Sequence, residues 1–540
     1  MVLIALVVAA LVGSRLGDRW ITSAEKLASG VARRKPVALL LVALTAIFAR
    51  LAMLWLFPVP APAVHDEFSY LLAADTFTHG RLANPPHPMW IFFDTFHVLQ
   101  HPTYASKYPP AQGAVLAVGQ LLGHPWIGVL FSMAIMTAAI TWMLQGWFPA
   151  EWALLGGVLV LLRFGLSSYW VNTYWGGAVA AAGGALVLGA FPRIIHHQRP
   201  RDSLVLGIGA ALLANSRPFE GFVFCLPVAI ALAIWLFSRT SPPLGIAGPR
   251  VLLPVLCILA LTVLLVGYYD WRVTKNVFLL PEALGLRQYE NMHLFAWQPQ
   301  KPPLHYSNAQ FDYFFNIHLR EYFIPSWAGW KHRSWEGVVK IWLLFLGSIL
   351  SISFVTLPWV VRDHRIRLLL VQFCLSSAGL LAVIYLEPHY AAPLVATVFA
   401  LWVQAMRHLR RWKLFGRPLG VGLSRVIVLA ALAHVPFQVV QTIPNPQAAD
   451  KAWSISRAHI VEQLDATPGL HLAIVRYAPD HIVHHEWVYN AADIDRSQIV
   501  WAREIPDRDL QPLLAYFGNR SVWLVEADAS PPRLQPYPGR

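Results

Sequence analysis

Long apolar runs separated by short basic or turn-rich stretches dominate the chain. A membrane-spanning helix needs about 20 mostly apolar residues. The run 37–57, directly after Arg33-Arg34-Lys35, is the first to meet this. Further runs lie at 125–147, 151–170, 176–195, 203–216, 219–237, 250–269, 337–361, 366–386, 390–406 and 424–442. The pattern predicts about eleven transmembrane helices. The shortest, 203–216, is closed by Ser216-Arg217-Pro218. The earlier apolar run 2–13 is too short to span. It reads as an interfacial helix or as the core of a signal peptide without a convincing cleavage site, and its retention is left open.

Arg and Lys concentrate in alternate connections: Arg199 and Arg201, Arg239 and Arg250, Arg362, Arg365 and Arg367, and Arg407 to Arg417. Cytoplasmic loops of membrane proteins carry such an excess. The chain therefore reads as multi-pass in a plasma (inner) membrane, with its N-terminus inside and its C-terminus outside. Residues 1–36 form a cytoplasmic or interfacial segment, and 37–442 a transmembrane domain with long outer loops at 58–124 and 270–336. Residues 443–540 are polar, without a run long enough to span. Within them 471–477 and 521–526 read as strands and 507–517 as a short helix. The fold class expected is an all-α polytopic membrane protein with a small α/β extracytoplasmic C-terminal domain.

Composition sharpens this. Of 540 residues, 56% are hydrophobic and 13% charged, about half the charged share of soluble globular proteins. The mean hydropathy is +0.49. The formal net charge of +13 would suggest nucleic acid in a soluble protein; here cytoplasmic loops account for it, and no nucleic-acid partner is expected. Cys225, Cys257 and Cys374 all lie in apolar runs, which argues against a disulfide framework or a thiolate metal cluster. The 23 tryptophans suit helices crossing an interfacial belt. There is no Walker-type phosphate loop and no Gly-x-Ser-x-Gly nucleophile elbow.

The sharpest chemical feature is His65-Asp66-Glu67, just past the outer end of the first span. Adjacent carboxylates at a membrane boundary are costly unless solvated or used. A helix starting there would also place Asp66 near its N-cap, so capping alone is the alternative. The apolar positions between Phe68 and Phe77 predict a short interfacial helix. A Tyr104-to-Gly113 segment containing Lys107-Tyr108-Pro109-Pro110 leads into the second span. His97 and His101 have the i,i+4 spacing of two metal ligands on a helix, but Pro102 disfavours the helix and no third ligand is evident. The aromatics of 289–335 suit sugar or lipid contacts, or an interfacial loop packed on the bilayer. The Asn490-to-Asp495 turn lacks the spacing of a calcium loop.

Together His65-Asp66-Glu67, Lys107-Tyr108-Pro109 with Gly113, Ser216-Arg217-Pro218 with Glu220, and Glu387-Pro388-His389-Tyr390 with Pro393 form a pattern. It resembles the GT-C membrane glycosyltransferases of the protein O-mannosyltransferase and aminoarabinose transferase group, over about residues 37–442. The resemblance implies a GT-C-like helical domain and an inverting transfer of a sugar from a polyprenyl-phosphate donor. The acceptor would be a lipid, glycan or protein hydroxyl at the outer face. It implies Asp66 as general base with Glu67 second, and Lys107, Arg217 and His389 as groups facing the donor phosphate. Tyr108, Tyr390 and Glu220 complete the substrate-binding set. A divalent cation helped by Asp66 or Glu67, as in some relatives, is left open, and no protein metal ligands are assigned. The family often has Arg-Tyr where this chain has His389-Tyr390, and histidine serves a phosphate only when protonated or as a neutral donor. Two other classes compete: a transporter or flippase of lipid-linked substrates, and a non-catalytic membrane assembly subunit. A transporter would place ionisable groups near the bilayer midplane and show repeats. Here the strong charges stand at the outer boundary.

Overall fold

A computed structural model describes residues 18–538, except 239–240, 291, 293, 307, 324–325, 414–417, 444–448 and 507. The apolar run 2–13 lies outside the described residues, and the expected boundary at 443 adjoins such a stretch. Every apolar run from 37 onward contributes at least one helix. Among the described residues seven helices are by themselves long and apolar enough to cross a membrane, or eight if a bent pair counts as one span. Three others are shorter: Ala150–Phe164 and Pro200–Ala214 have 15 residues each, and Val395–Arg410 has 16. At about 1.5 Å per residue these fall short of a straight crossing. The most enclosed are Pro125–Trp147 and Ala178–His197, which form the centre of the helical core.

Two expected spans are interrupted. The run 337–361 is not one helix: Trp327–Phe345 and Gly347–Arg362 meet at 93°. Gly347 takes a left-handed φ of 64° at the corner, a conformation glycine adopts without steric cost. The carbonyls freed at the break are met by Arg163, which donates to Leu344 O at 2.8 Å and to Leu343 O. The run 151–170 leaves the helix at Phe164 instead, and residues 165–177 form turns. In those turns Trp170 is buried against Gly177, where an added Cβ would meet the Trp170 ring at 2.6 Å.

The first outer loop carries helix His65–Thr78 and a short antiparallel pair, β1 (Val98–Leu99) and β2 (Ala105–Ser106). This helix packs against the C-terminal domain. Phe68 stacks on Tyr489 with ring centroids 4.0 Å apart, and the Arg457 guanidinium sits 5.0 Å from the Phe68 ring. That is why polar residues such as His65, Glu67, Ser69 and Thr76 are buried along with its apolar ones.

In the C-terminal region helix Ala449–Asp465 precedes β3 (His471–Arg476), β4 (Ile499–Arg503), β5 (Ser521–Glu526) and β6 (Arg533–Pro536), ordered β4-β3-β5-β6. β3 runs parallel to β4 and β5, and β6 antiparallel to β5. β3 is buried along five of its six residues, which explains its unbroken apolar reading. The expected helix at 507–517 is realised as Gln511–Tyr516. The Asn490 turn is structural: its amide donates to Trp501 O and accepts from Trp501 N, both at 2.8 Å.

Arg503 fastens this domain to both outer loops. It pairs with Glu486, and donates to Gln310, to Asn308 at 3.3 Å and to Asp94 O at 3.3 Å. Further ties are Tyr104 to Asn490 O at 2.9 Å and Ala492 N to Asp75 at 2.7 Å.

Candidate functional site

A cavity of about 500 Å³ opens where the outer loops meet the helix ends. Its wall includes Asp66, Lys107, Tyr108, Arg217, Glu220, His389 and Tyr390. Seven of the eight residues singled out in the sequence, spread over more than 300 positions, thus share one space. Glu67 does not line it.

Asp66 is the second residue of helix His65–Thr78, and its Oδ1 accepts the Tyr108 hydroxyl. Tyr108 is placed by its own surroundings. Its ring stacks on Tyr70 at 4.6 Å, and its N–H donates to Ser106 Oγ at 3.2 Å. Ser106 in turn shares a 2.7 Å hydroxyl contact with Ser69, one helical turn below Asp66. Burial raises the Asp66 carboxyl above the ordinary carboxylate range, while the Tyr108 hydrogen bond and the charges of Lys107 and Arg217 act against that rise. Burial also raises the Tyr108 phenol well above its usual range, so it stays neutral and donates.

Glu67 faces the other way. Its Oε2 accepts Ala63 N at 2.7 Å and Val64 N at 3.1 Å, and its Oε1 accepts Tyr174 N at 2.9 Å. It closes the N-terminus of the helix as a capping-box glutamate does and anchors the 165–177 turn. The two adjacent carboxylates therefore have different work: 100° of helical rotation per residue turns one into the cavity and the other into the protein.

Lys107 is buried and engaged by Glu290 in an ion pair. Arg217 stands at the N-cap of helix Pro218–Leu236, its guanidinium carbon 4.1 Å from the centre of the Tyr390 ring. Among the described residues it forms no ion pair; Glu220, one turn on, lines the same cavity without contacting it as a salt bridge. His389 is buried, its Nδ1 3.2 Å from the Tyr169 hydroxyl and its ring 4.4 Å from Trp175. Burial first, and then the Arg217 charge, depress its pKa well below the ordinary histidine range. That favours the neutral imidazole, which can act as a hydrogen-bond donor or acceptor.

Several lining residues escaped the sequence reading. Glu282 and Tyr385 reach the cavity from the loop 270–336 and from the connection 383–394, and Trp175 from the turn 165–177. Burial raises the Glu282 carboxyl, with Lys107 and Arg217 opposing. His484 arrives from the C-terminal domain, stacked 5.6 Å from His65. Phe314 and Phe315, from the aromatic stretch read as suiting sugar or lipid contacts or a bilayer-packed loop, line the wall, whereas Trp297, Trp327 and Trp335 are exposed. Glu282 at a helix start in a membrane-edge loop was a readable signal; His484 and Trp175 had none, because only tertiary folding brings them here.

The i,i+4 helix needed for His97 and His101 does not form. His97 has a φ of 62°, β1 follows it, and His101 packs on Trp90. Among the described residues no group of three or more His, Cys, Asp or Glu is placed to hold a metal ion. Asp66 accepts from the Tyr108 hydroxyl and shares the cavity with Glu220 and Glu282, and Glu67 is committed to backbone N–H groups.

No family model matches the chain, and no curated protein does. Solved structures are similar in fold. ArnT from Cupriavidus metallidurans in the apo state aligns with a TM-score of 0.49 at 13% identity, over 92% of this chain and 93% of that one. The same protein bound to undecaprenyl phosphate aligns at 0.48 and 13%, over 91% and 92%. The Archaeoglobus fulgidus oligosaccharyltransferase, in a complex with Zn and sulfate, aligns at 0.47 and 13%. There 81% of this chain is covered, and the chain spans 60% of the length of that protein. These alignments cover most of this chain.

Proposed function

We propose that the chain is an inverting membrane glycosyltransferase that moves a sugar from a polyprenyl-phosphate donor to a lipid, glycan or protein hydroxyl at the outer membrane face. One observation carries this reading: a carboxylate held by a tyrosine and an arginine that forms no salt bridge among the described residues face the same cavity. The first is a base, the second an anion-binding group. Leu280, Leu286, Leu294 and Phe219 supply apolar wall for a prenyl chain.

In this reading the acceptor hydroxyl oxygen attacks the anomeric carbon as the bond from that carbon to the phosphate oxygen breaks. The phosphate leaves with the electron pair, and Arg217 stabilises its growing charge. The proton of the hydroxyl passes to Asp66 Oδ2, since Oδ1 is occupied by Tyr108. A single displacement inverts the anomeric centre. Tyr390 keeps the guanidinium in place by stacking, and neutral His389 offers a hydrogen bond in place of a charge. Lys107, paired with Glu290, orients Tyr108 and adds positive field. Glu67 is a positioning residue.

The test is transfer from a radiolabelled polyprenyl-phosphate sugar panel by purified protein, wild type beside Asp66→Asn. The expected loss is about 10²- to 10⁴-fold, the usual contribution of a general base, with an unchanged melting temperature. Full activity in Asp66→Asn would remove the base assignment. A wild type that binds no polyprenyl phosphate would remove the donor class.

A further inference from the structure

We propose that a second cleft, at the opposite ends of the helices, binds a phospholipid of the inner leaflet with an anionic phosphate and a free headgroup hydroxyl, of the phosphatidylglycerol class. The cleft measures about 610 Å³ and opens between helices Lys35–Ala52, Pro125–Trp147, Ala178–His197 and Pro200–Ala214. The positive-inside pattern assigns this end to the cytoplasm.

Its charge is unbalanced. Arg193, Arg199 and Arg201 line it, with Asp202 as the single carboxylate. At the same end of the molecule Arg410 and Arg425 pair with Glu25, and Arg33 with Glu151. The three arginines of the cleft form no ion pair among the described residues. Arg193 is fixed but not neutralised: it donates to Gly189 O at 2.6 Å and Trp142 O at 2.8 Å, and lies 3.9 Å from the Trp142 ring centre. Carbonyls and a ring orient a guanidinium and leave its charge for an anion.

Asp202 is 7% exposed, and its Oδ2 has no hydrogen-bond partner. A buried acceptor of this kind calls for a donor from outside the protein. The remaining wall is apolar, and Ile135 within it is 59% exposed. On a membrane-embedded surface acyl chains cover such a wall. A phosphodiester on the arginines, a headgroup hydroxyl on Asp202 and chains along Ile135 satisfy the three features together. Three cations against one carboxylate select an anionic over a zwitterionic lipid, and basic pockets between helices on this side of membranes take such headgroups.

The experiment is native mass spectrometry of the full chain in neutral detergent, titrated with phosphatidylglycerol, phosphatidic acid and phosphatidylcholine of matched chains. Phosphatidylglycerol is expected to bind saturably and most tightly. Arg199 and Arg201 are exposed, so Arg199→Gln/Arg201→Gln leaves folding intact. It should weaken that binding by about fivefold per arginine, roughly thirtyfold in all. Arg362→Gln/Arg365→Gln, on another basic loop, should bind as wild type does. The proposal falls if the first double variant retains phosphatidylglycerol fully, if the second loses as much, or if phosphatidylcholine binds equally. Equal binding of phosphatidic acid, which lacks the headgroup hydroxyl, would overturn the role of Asp202.

Discussion

The Tyr108–Asp66 hydrogen bond makes the proposed base quantitatively testable through Tyr108→Phe. The ring stack on Tyr70 and the backbone contact to Ser106 do not involve the hydroxyl, so the variant removes one interaction. A hydrogen bond to a charged group is worth about 1.5–3 kcal/mol. This bond favours the ionised form of Asp66 and so works against burial, which raises its pKa. Without it the Asp66 pKa rises further, and the acid limb of kcat/KM against pH moves to higher pH. Below that limb the rate constant falls by roughly 10- to 100-fold relative to wild type, at about 1.4 kcal/mol per decade. Above it, where Asp66 is ionised in both proteins, the two rates converge to within a few-fold. The assay is kcat/KM for sugar transfer from pH 5 to 9, with ligand-free melting temperatures measured in parallel. An acid limb that stays where it was, at equal stability, would refute Asp66 as the group whose ionisation governs the reaction. A uniform loss across all pH values would refute the electrostatic account and leave Tyr108 a purely steric role.

Three further outcomes follow from the geometry. Glu67→Gln turns an amide toward backbone N–H groups that need an acceptor; stability falls by about 1–3 kcal/mol, while the pH profile of the residual activity keeps its acid limb, and a displaced limb would contradict the separation of roles between Asp66 and Glu67. Arg503→Met leaves Glu486 buried without its cation, a loss of about 3–5 kcal/mol for an orphaned charge; Tyr477 and Val488 N–H still donate to that carboxylate, which favours the lower figure, and limited proteolysis should release the C-terminal domain first. Burial raises the Asp94 carboxyl to about 7, so its contribution to folding is full below the ordinary carboxylate range and is lost as pH rises through 7; Asp94→Asn should flatten the fall in melting temperature between pH 4 and 8, and parallel curves for the two proteins would contradict this.

How much of the site was legible depended on where each side chain's surroundings come from. Asp66 stood out because a carboxylate beside a membrane span is costly, and the structure puts it in the cavity. Glu67 carried the same signal and has a different place, because the direction of a side chain on a helix depends on what packs against each face. Arg217 was readable from Ser216-Arg217-Pro218, the break between two spans; that it lacks an acidic partner while Lys107 has one was not, since Glu290 lies 183 positions from Lys107. His389 was readable as a position but not as a protonation state, which burial decides.

The linear pattern by itself determined the helical runs, their membrane character, the polar C-terminal region with its apolar strands, and the loops that carry the chemistry. These follow from local hydrophobic burial and its periodicity, which act within one element. Tertiary structure alone decided that the span at 337–361 breaks at Gly347, that the loop helix lies under the C-terminal domain, and that His484 and Trp175 complete the cavity. It also decided which of the many cytoplasmic arginines remain unpaired. Each of those outcomes depends on contacts between residues distant in sequence, and pairwise burial of charges and rings has no signature in a one-dimensional pattern.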